Sequence, residues 1–338
     1  MATKKLGKQT VKFSTPPVIS SVYSIVGPKE GEGPLGKYFD LVLEDEFWGE
    51  KTWEKTESKI VKECISGCLG QESVSNEDID FLLSGDLLNQ CISSSFGIRE
   101  RAIPYFGLFG ACSTFVESLA LGSMLIDGQM ADSTVGSTSS HFCSAEKQFR
   151  FPLELGTQRP PTSQWTVTGA GAALLKAGGS GPKITHATIG KIIDMGIKDA
   201  NNMGAAMAPA AIDTLFQHFK DTGRTPDYYD YIFTGDLGKI GKKIVKDLIK
   251  TQGYNLDSNY EDCGCLIFDG ETQDTHAGGS GCACCATTFC GYIYNQLKAQ
   301  KLKKVLLCAT GALMSPTTAQ QQESILGIAH AISIEMLL

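Results

Sequence analysis

An eight-residue pattern that occurs twice, at residue 80 and 150 positions later at residue 230, constrains the fold of this chain most strongly. Residues 80–87 read DFLLSGDL and residues 230–237 read DYIFTGDL. Both segments are apolar and aromatic-rich and stop at a glycine, which is typical of a buried β-strand followed by a tight turn. A second pair follows, because a shift of 172 positions places Cys112 on Cys284 and Thr138 on Thr310. Two repeated motifs that occur in the same order indicate an internal duplication.

The neighbours of these motifs also match between the two parts of the chain. The matching pairs are an opening strand (18–26 and 184–193), a helix before the Gly-Asp-Leu motif (53–69 and 207–220), and a later helix with its strand (115–139 and 289–308). Strands alternating with helices favour α/β layers with mainly parallel pairing. The sequence therefore predicts two halves, residues 14–180 and 181–338. The glycine- and proline-rich residues 27–36 predict a mobile surface loop.

Composition excludes several classes of function. The net charge is −7 and the sequence pI about 5.3, so no overall basic character favours nucleic-acid binding. No apolar run reaches the ~18 residues that a membrane helix needs, and the start of the chain lacks the apolar core of a signal peptide. A membrane role is therefore expected to be peripheral and to depend on partners.

The twelve cysteines suit buried, reduced thiols better than a disulfide framework, because they lie in apolar surroundings. Six possible ligands crowd together late in the chain, but their C-x-C spacing differs from the C-x₂₋₄-C of structural zinc sites. These are Cys263, Cys265, His276, Cys282, Cys284 and Cys285. We expect neither a metal nor a cofactor to be held by them.

Residues 110–114, Gly-Ala-Cys-Ser-Thr, have the composition of a nucleophile elbow. Small residues allow a strand to turn sharply into a helix, which would place Cys112 at the helix N-terminus. The free amides and the helix dipole there favour a thiolate or a bound anion, so we expect a lowered pKa for Cys112. A buried cysteine between small residues also fits a purely structural role.

These features, with several longer strings, resemble the thiolase and 3-ketoacyl-ACP synthase III superfamily, and most closely its stage V sporulation protein AD branch. The resemblance spans residues 10–336 and rests on specific strings. They are GLFGACSTF (107–115), STSSHFC (137–143), WTVTGAGAA (165–173), MAPAA (207–211), FTGDLG (233–238) and CATGAL (308–313).

The resemblance implies a thiolase-like, duplicated αβαβα five-layer sandwich that forms a homodimer, and residues 91–105 are the candidate interface. It also implies binding of dipicolinic acid (pyridine-2,6-dicarboxylate), alone or with calcium, for its uptake into the developing spore. The protein would work with membrane proteins of the same transport system, peripheral to the inner membrane of the spore.

The synthases of this superfamily need Cys, His and Asn, since the thiolate attacks while His and Asn donate to the thioester oxygen. The resemblance places their His at Gly235 and their Asn at Gly279, and neither residue offers a donor side chain. A binding protein without catalysis is therefore expected. An acyl-transferring enzyme with Cys112 as nucleophile, and a scaffold with a vestigial pocket, are the alternatives.

A flat dianion calls for a helix N-terminus, hydroxyl donors and an apolar slot. Phe106, Phe109 and Phe142 are candidates for the slot, and Asp132 with Asp86 for a calcium carried with the ligand. The ligand-binding residues that we expect are Cys112, Ser113, Asp132, Ser139, Ser140, His141, Gly235 and Gly279.

Overall fold

The computed structural model describes residues 3–149 and 159–337. The strands are β1 (Lys5–Leu6), β2 (Thr10–Lys12), β3 (Val18–Val26), β4 (Leu41–Val42), β5 (Phe81–Gly85), β6 (Tyr105–Gly107), β7 (Ser133–Ser140), β8 (Trp165–Thr166), β9 (Gly169–Lys176), β10 (Pro182–Ile189), β11 (Tyr231–Thr234), β12 (Tyr260–Asp262), β13 (Gly279–Ser280), β14 (Lys304–Leu313) and β15 (Leu326–Met336). The helices are α1 (Pro28–Gly31), α2 (Trp53–Gly70), α3 (Ile92–Ile98), α4 (Thr114–Asp127), α5 (Phe142–Phe149), α6 (Met203–Thr222), α7 (Gly238–Leu248), α8 (Cys263–Leu266), α9 (Cys282–Thr288), α10 (Tyr294–Lys298) and α11 (Pro316–Gln320).

The two halves build the same sheet. In the first half the strand order is β6-β5-β7-β9-β3, and in the second it is β12-β11-β14-β15-β10. In each, the first three strands are parallel and the last two pairings are antiparallel. The two sheets touch where Lys183 of β10 pairs with Val18 of β3. This correspondence agrees with the internal duplication, while the limits 14–180 and 181–338 stay a prediction.

Helices fill three layers around the two sheets. In the centre, α4 packs on β5 and β7 of the first sheet and on β14 and β15 of the second. Beside it lies α9, which continues through a π-helical turn, Phe289–Ile293, into α10. The outer layers are α2 with α3 on the first sheet and α6 with α7 on the second. The predicted αβαβα sandwich is confirmed.

Burial explains why the two central segments are so apolar. Every residue of α9 is buried, and no residue of α4 is exposed. The rings of Phe115 and Phe289 meet at 5.7 Å between the sheets. Burying apolar surface on all sides stabilises such helices by roughly 1.5–3 kcal/mol for each large side chain. The prediction that residues 116–126 and 286–294 form neighbouring buried helices is confirmed, with the π-helical turn inside the second.

Two expectations were wrong. Pairing is mixed and not mainly parallel, because β9 and β15 each run antiparallel to both neighbours. Residues 27–36 are not simply a mobile loop, since they contain α1, whose Glu30 is fully buried with Oε1 accepting from the Thr168 amide at 2.9 Å. Among the described residues, no helix is both long and apolar enough to cross a membrane.

Candidate functional site

Cys112 lies in the turn between β6 and α4, as the elbow pattern predicts. The turn needs Ala111 in the left-handed region (φ 50°) and is held by Thr114, whose Oγ1 accepts from the Gly110 amide at 2.9 Å and donates to the Ala111 carbonyl at 2.6 Å. The amides of Ser113 and Thr114 are bonded to the carbonyls of Gly110 and Ala111. Since these amides already have partners, the elbow does not offer them to a bound anion.

A cavity of about 560 Å³, counted with its open mouth, reaches from the surface to Cys112. Its walls are mostly apolar, and the two phenyl rings come from Phe109 and Phe149. The lining residues come from both halves of the chain: Leu87, Phe109, Ala111, Cys112, Ala145, Glu146, Phe149, Thr166, Ala200, Met203, Ser280, Gly281, Ala312 and Met314. The mostly apolar lining with a polar end suits a small, largely flat molecule.

Asp236 lies behind the polar floor of this cavity and is fully buried. Its Oδ1 accepts from Thr310 Oγ1 at 2.6 Å, and its Oδ2 accepts from Ser280 Oγ at 2.9 Å and from the Gly281 amide at 3.3 Å. The Sγ atom of Cys112 lies 3.9 Å from Ser280 Oγ. The floor is thus one hydrogen-bonded cluster centred on a carboxylate.

This cluster sets the protonation of both acids. Burial raises the pKa of Asp236 to about 6, although the hydrogen bonds from Thr310, Ser280 and Gly281 act in the opposite direction. Burial, followed by the Asp236 charge, raises the pKa of Cys112 well above its usual value. The expected lowering of the Cys112 pKa is therefore wrong, because desolvation and a neighbouring carboxylate outweigh the helix dipole. At neutral pH the thiol is neutral.

A second buried carboxylate fixes the turn that carries Asp236. Asp262, at the end of β12, accepts from Thr234 Oγ1 at 2.7 Å and from the amides of Leu237 and Gly238, both at 2.9 Å. Burial raises the pKa of Asp262 to about 7. Three donors on one carboxylate hold the backbone of the turn, and with it the direction of the Asp236 side chain.

The two glycines expected at the catalytic positions do lie beside the site. The side chains that approach Cys112, however, come from the residues that follow them, Asp236 and Ser280. The assignment of the synthases' His and Asn to Gly235 and Gly279 stays a prediction. Asp236 was within reach of sequence reasoning, since it repeats Asp86 in the duplicated motif. Nothing in the sequence marks Ser280 among its small neighbours.

Four other predicted ligand residues are near Cys112 in sequence or fold but do not line the cavity. Ser113 Oγ donates to the Gly110 carbonyl at 2.7 Å. Ser139 donates to Glu57 at 3.0 Å, and Ser140 to the Val167 carbonyl at 2.7 Å. His141 Nε2 bonds the Glu46 carbonyl at 2.9 Å. Their polar groups serve the scaffold around the site.

The expected calcium ligands are not brought together. Asp132 precedes β7, at the end opposite Ser140 and the cavity, whereas Asp86 follows β5 and is buried against Ser94. In residues 3–149 and 159–337, no three Cys, His or acidic side chains are grouped as a metal site requires. Of the aromatic candidates only Phe109 lines the cavity, since Phe142 stacks on Trp165 at 3.6 Å and Phe106 packs against Phe81.

Solved structures with the same fold include acyl-condensing enzymes. The 3-oxoacyl-[acyl-carrier-protein] synthase III of Aquifex aeolicus VF5 aligns over 94% of this chain and 99% of its own, with a TM-score of 0.58 and 11% identity. OleA of Xanthomonas campestris bound with cerulenin aligns over 98% of this chain and 97% of its own, with a TM-score of 0.61 and 12% identity. At such identities the likeness concerns the fold alone.

Sequence comparison gives the family. The family model of stage V sporulation protein AD matches residues 7–335. The stage V sporulation protein AD of Bacillus subtilis (strain 168) is 46% identical over 332 residues, which cover 98% of each chain. With the duplicated sheets and the cavity at Cys112, these matches show that the chain belongs to the stage V sporulation protein AD family and has a role in sporulation.

Proposed function

We propose that this protein binds dipicolinic acid in the cavity at Cys112, without chemical turnover, for its uptake into the developing spore. The observation that carries the proposal is the state of the cysteine. Burial and the nearby Asp236 charge raise the pKa of its thiol well above the usual value, so it is a poor nucleophile at neutral pH. A sporulation protein with a mostly apolar cavity that ends at a neutral thiol is best explained by binding.

The cavity suits one aromatic ring with polar substituents. Apolar side chains such as Leu87, Met203 and Met314 can sandwich the ring, while the polar end at Ser280 can meet a carboxylate. Burying a ring of this size favours binding, both through the apolar area removed from water and through contacts with Phe109. Glu146 also lies in the lining, so a free dianion needs compensation of charge.

The competing function is acyl transfer with Cys112 as nucleophile, which the fold of the synthases suggests. Such an enzyme needs a thiolate at working pH and donors aimed at the thioester oxygen. Here the negative charge of Asp236 disfavours ionisation of the Cys112 thiol. The hydroxyl of Ser280 donates to Asp236 and so is not aimed at a thioester oxygen. Both features count against this function.

Calorimetric titration of the purified protein with dipicolinate, with and without calcium, tests the proposal. We expect one site per chain, and much weaker binding of benzene-1,3-dicarboxylate and pyridine-2-carboxylate, which each lack one polar group of the ligand. Absence of binding at millimolar dipicolinate would refute it. A covalent acyl adduct on Cys112 after incubation with acyl-CoA, seen by peptide mass spectrometry, would support the enzyme instead.

The proposal includes a homodimer that works with membrane proteins of the same transport system at the inner membrane of the spore. What supports the dimer is the edge of the first sheet, which has no strand paired beyond β6 among residues 3–149 and 159–337. Strand β6 ends that sheet, and Phe106 on it and Phe96 on α3 are 45% and 54% exposed. Unpaired strand edges with apolar neighbours favour pairing with a second chain.

A further inference from the structure

Two residues of the cavity floor direct their hydrogens away from the cavity. Ser280 and Gly281 line it, yet the hydroxyl and the amide both donate to Asp236, which lies behind them. A third donor, Thr310, approaches from β14 on the other side of the carboxylate. The donors of Ser280 and Gly281 are therefore committed to one buried charge.

In this state a bound carboxylate would face hydrogen-bond acceptors at the floor. With Asp236 ionised, the cavity is offered the lone pairs of Ser280 Oγ, which is an acceptor like the carboxylate itself. The negative charge of Asp236 lies one hydrogen bond further back. Burying a second anion here without a donor is strongly unfavourable.

We propose that the pocket binds a carboxylate together with one proton, which Asp236 holds. This inference rests on the proposed function. A solvent proton adds to Oδ2 of Asp236, whose new O–H donates to Ser280 Oγ over the existing 2.9 Å contact. The Ser280 hydroxyl then turns its hydrogen into the cavity and donates to the ligand. One O–H bond forms, and the added proton makes the combined charge of the ligand and the floor less negative by one unit.

The other ionisable groups packed around Asp236 favour the same direction. Asp262 faces it from β12, Cys112 from the elbow, and Cys282 and Cys284 from α9. All are acids, and none of the described lining residues is basic. An added anion is therefore compensated by taking up a proton, and Asp236 is the acid bonded directly to the floor.

The number of protons taken up on binding can be measured with the parent protein alone. Dipicolinate is titrated calorimetrically at pH 7.5 in two buffers of the same ionic strength but different ionisation enthalpy, such as phosphate and Tris. We expect the difference in heat to correspond to about one proton taken up per ligand. Between pH 7 and pH 9 the affinity should then fall about tenfold per pH unit.

Two variants test whether Asp236 is the residue that takes up the proton. Asp236→Asn keeps the shape and offers an N–H to Ser280, so we expect binding with no proton uptake and an affinity independent of pH. Glu30→Gln is the matched control, because Glu30 is equally buried but contacts Thr168 outside the cavity lining. It should take up the proton as the parent does.

The outcomes separate the two proposals. If dipicolinate binds the parent protein with equal heat in both buffers, the proton-coupled mechanism is wrong and the binding function stands. If Asp236→Asn still takes up a proton, the site of protonation is wrong. No binding of dipicolinate at any pH between 6 and 8 removes the binding function itself.

Discussion

Ser280 donates to Asp236 over 2.9 Å, and through this bond two loops of the second half form the floor beneath Cys112 of the first. Asp86, the counterpart of Asp236 in the first half, instead accepts from the amide of Ser94 at 2.8 Å and from its hydroxyl. One copy of the repeated Gly-Asp motif therefore stabilises the scaffold, while the other lies at the cavity. The same buried acid thus occurs in both halves, as Asp86 and as Asp236, and the residues around each one determine its role.

Close packing of the central layer predicts a large effect at Gly171. A Cβ built on this residue of β9 would lie 2.6 Å from the backbone of Ala286 in α9. Gly171→Ala should therefore lower the free energy of unfolding by about 1–3 kcal/mol, because sheet and helix must separate. Gly178→Ala is the control, since nothing lies within 4 Å of its added Cβ. Equal denaturation midpoints for the two variants would contradict the packing.

The sequence predicts the layers of this fold well because duplication makes each half a check on the other. The strand ending at Gly85 and the strand ending at Thr234 were both identified from one pattern. The direction of β9 could not be predicted in this way. Its alternating glycine and alanine reflect contact with α9 on one face, and pairing direction depends on neighbours distant in the chain.

The site was predicted only in part, for a physical reason. Cys112 follows from local turn chemistry, which the sequence displays. The orientation of the hydroxyls of Ser139 and Ser140 depends on Glu57 and Val167, which come from other segments. The Cys112 pKa depends on burial and on Asp236, 124 positions later (236 − 112). Such long-range electrostatics cannot be read from a short motif.

Buried acids predict that the protein is less stable at alkaline pH. Burial raises the pKa of Glu30 and of Glu57 to about 8. An acid whose pKa is higher in the folded state stabilises the protein fully below the unfolded value, near 4.5, and this contribution is lost as the pH rises through about 8. The denaturation midpoint should therefore fall between pH 6 and pH 9, by a free energy on the order of a few kcal/mol.

Glu30→Gln isolates one part of this effect. The amide oxygen can still accept from Thr168, while the group that ionises is removed. We expect a smaller loss of stability between pH 6 and pH 9 than in the parent protein, measured by urea denaturation at each pH. An unchanged pH dependence would show that Glu30 does not titrate in this range.

The exposed aromatic residues near β6 predict the state of assembly. Phe96→Glu places a charge on the proposed interface and should shift a homodimer to monomers in sedimentation equilibrium at micromolar concentration. Met130→Glu, at a residue 67% exposed in the turn after α4, is the matched control and should leave the dimer intact. A parent protein that sediments as a monomer would rule out the dimer.

The reactivity of Cys112 gives a test that needs no ligand. Only the thiolate reacts with iodoacetamide, and burial together with the Asp236 carboxylate raises the pKa of Cys112, so alkylation at pH 7.5 should be slow. Asp236→Asn removes the charge and should speed labelling of Cys112 several-fold. Cys143, half-buried and with its pKa raised by burial to about 11, is the internal reference in the same digest. If peptide mass spectrometry finds the same ratio of Cys112 to Cys143 labelling in both proteins, Asp236 does not control the thiol. A parent Cys112 that labels at once at pH 7.5 would instead restore it as a nucleophile.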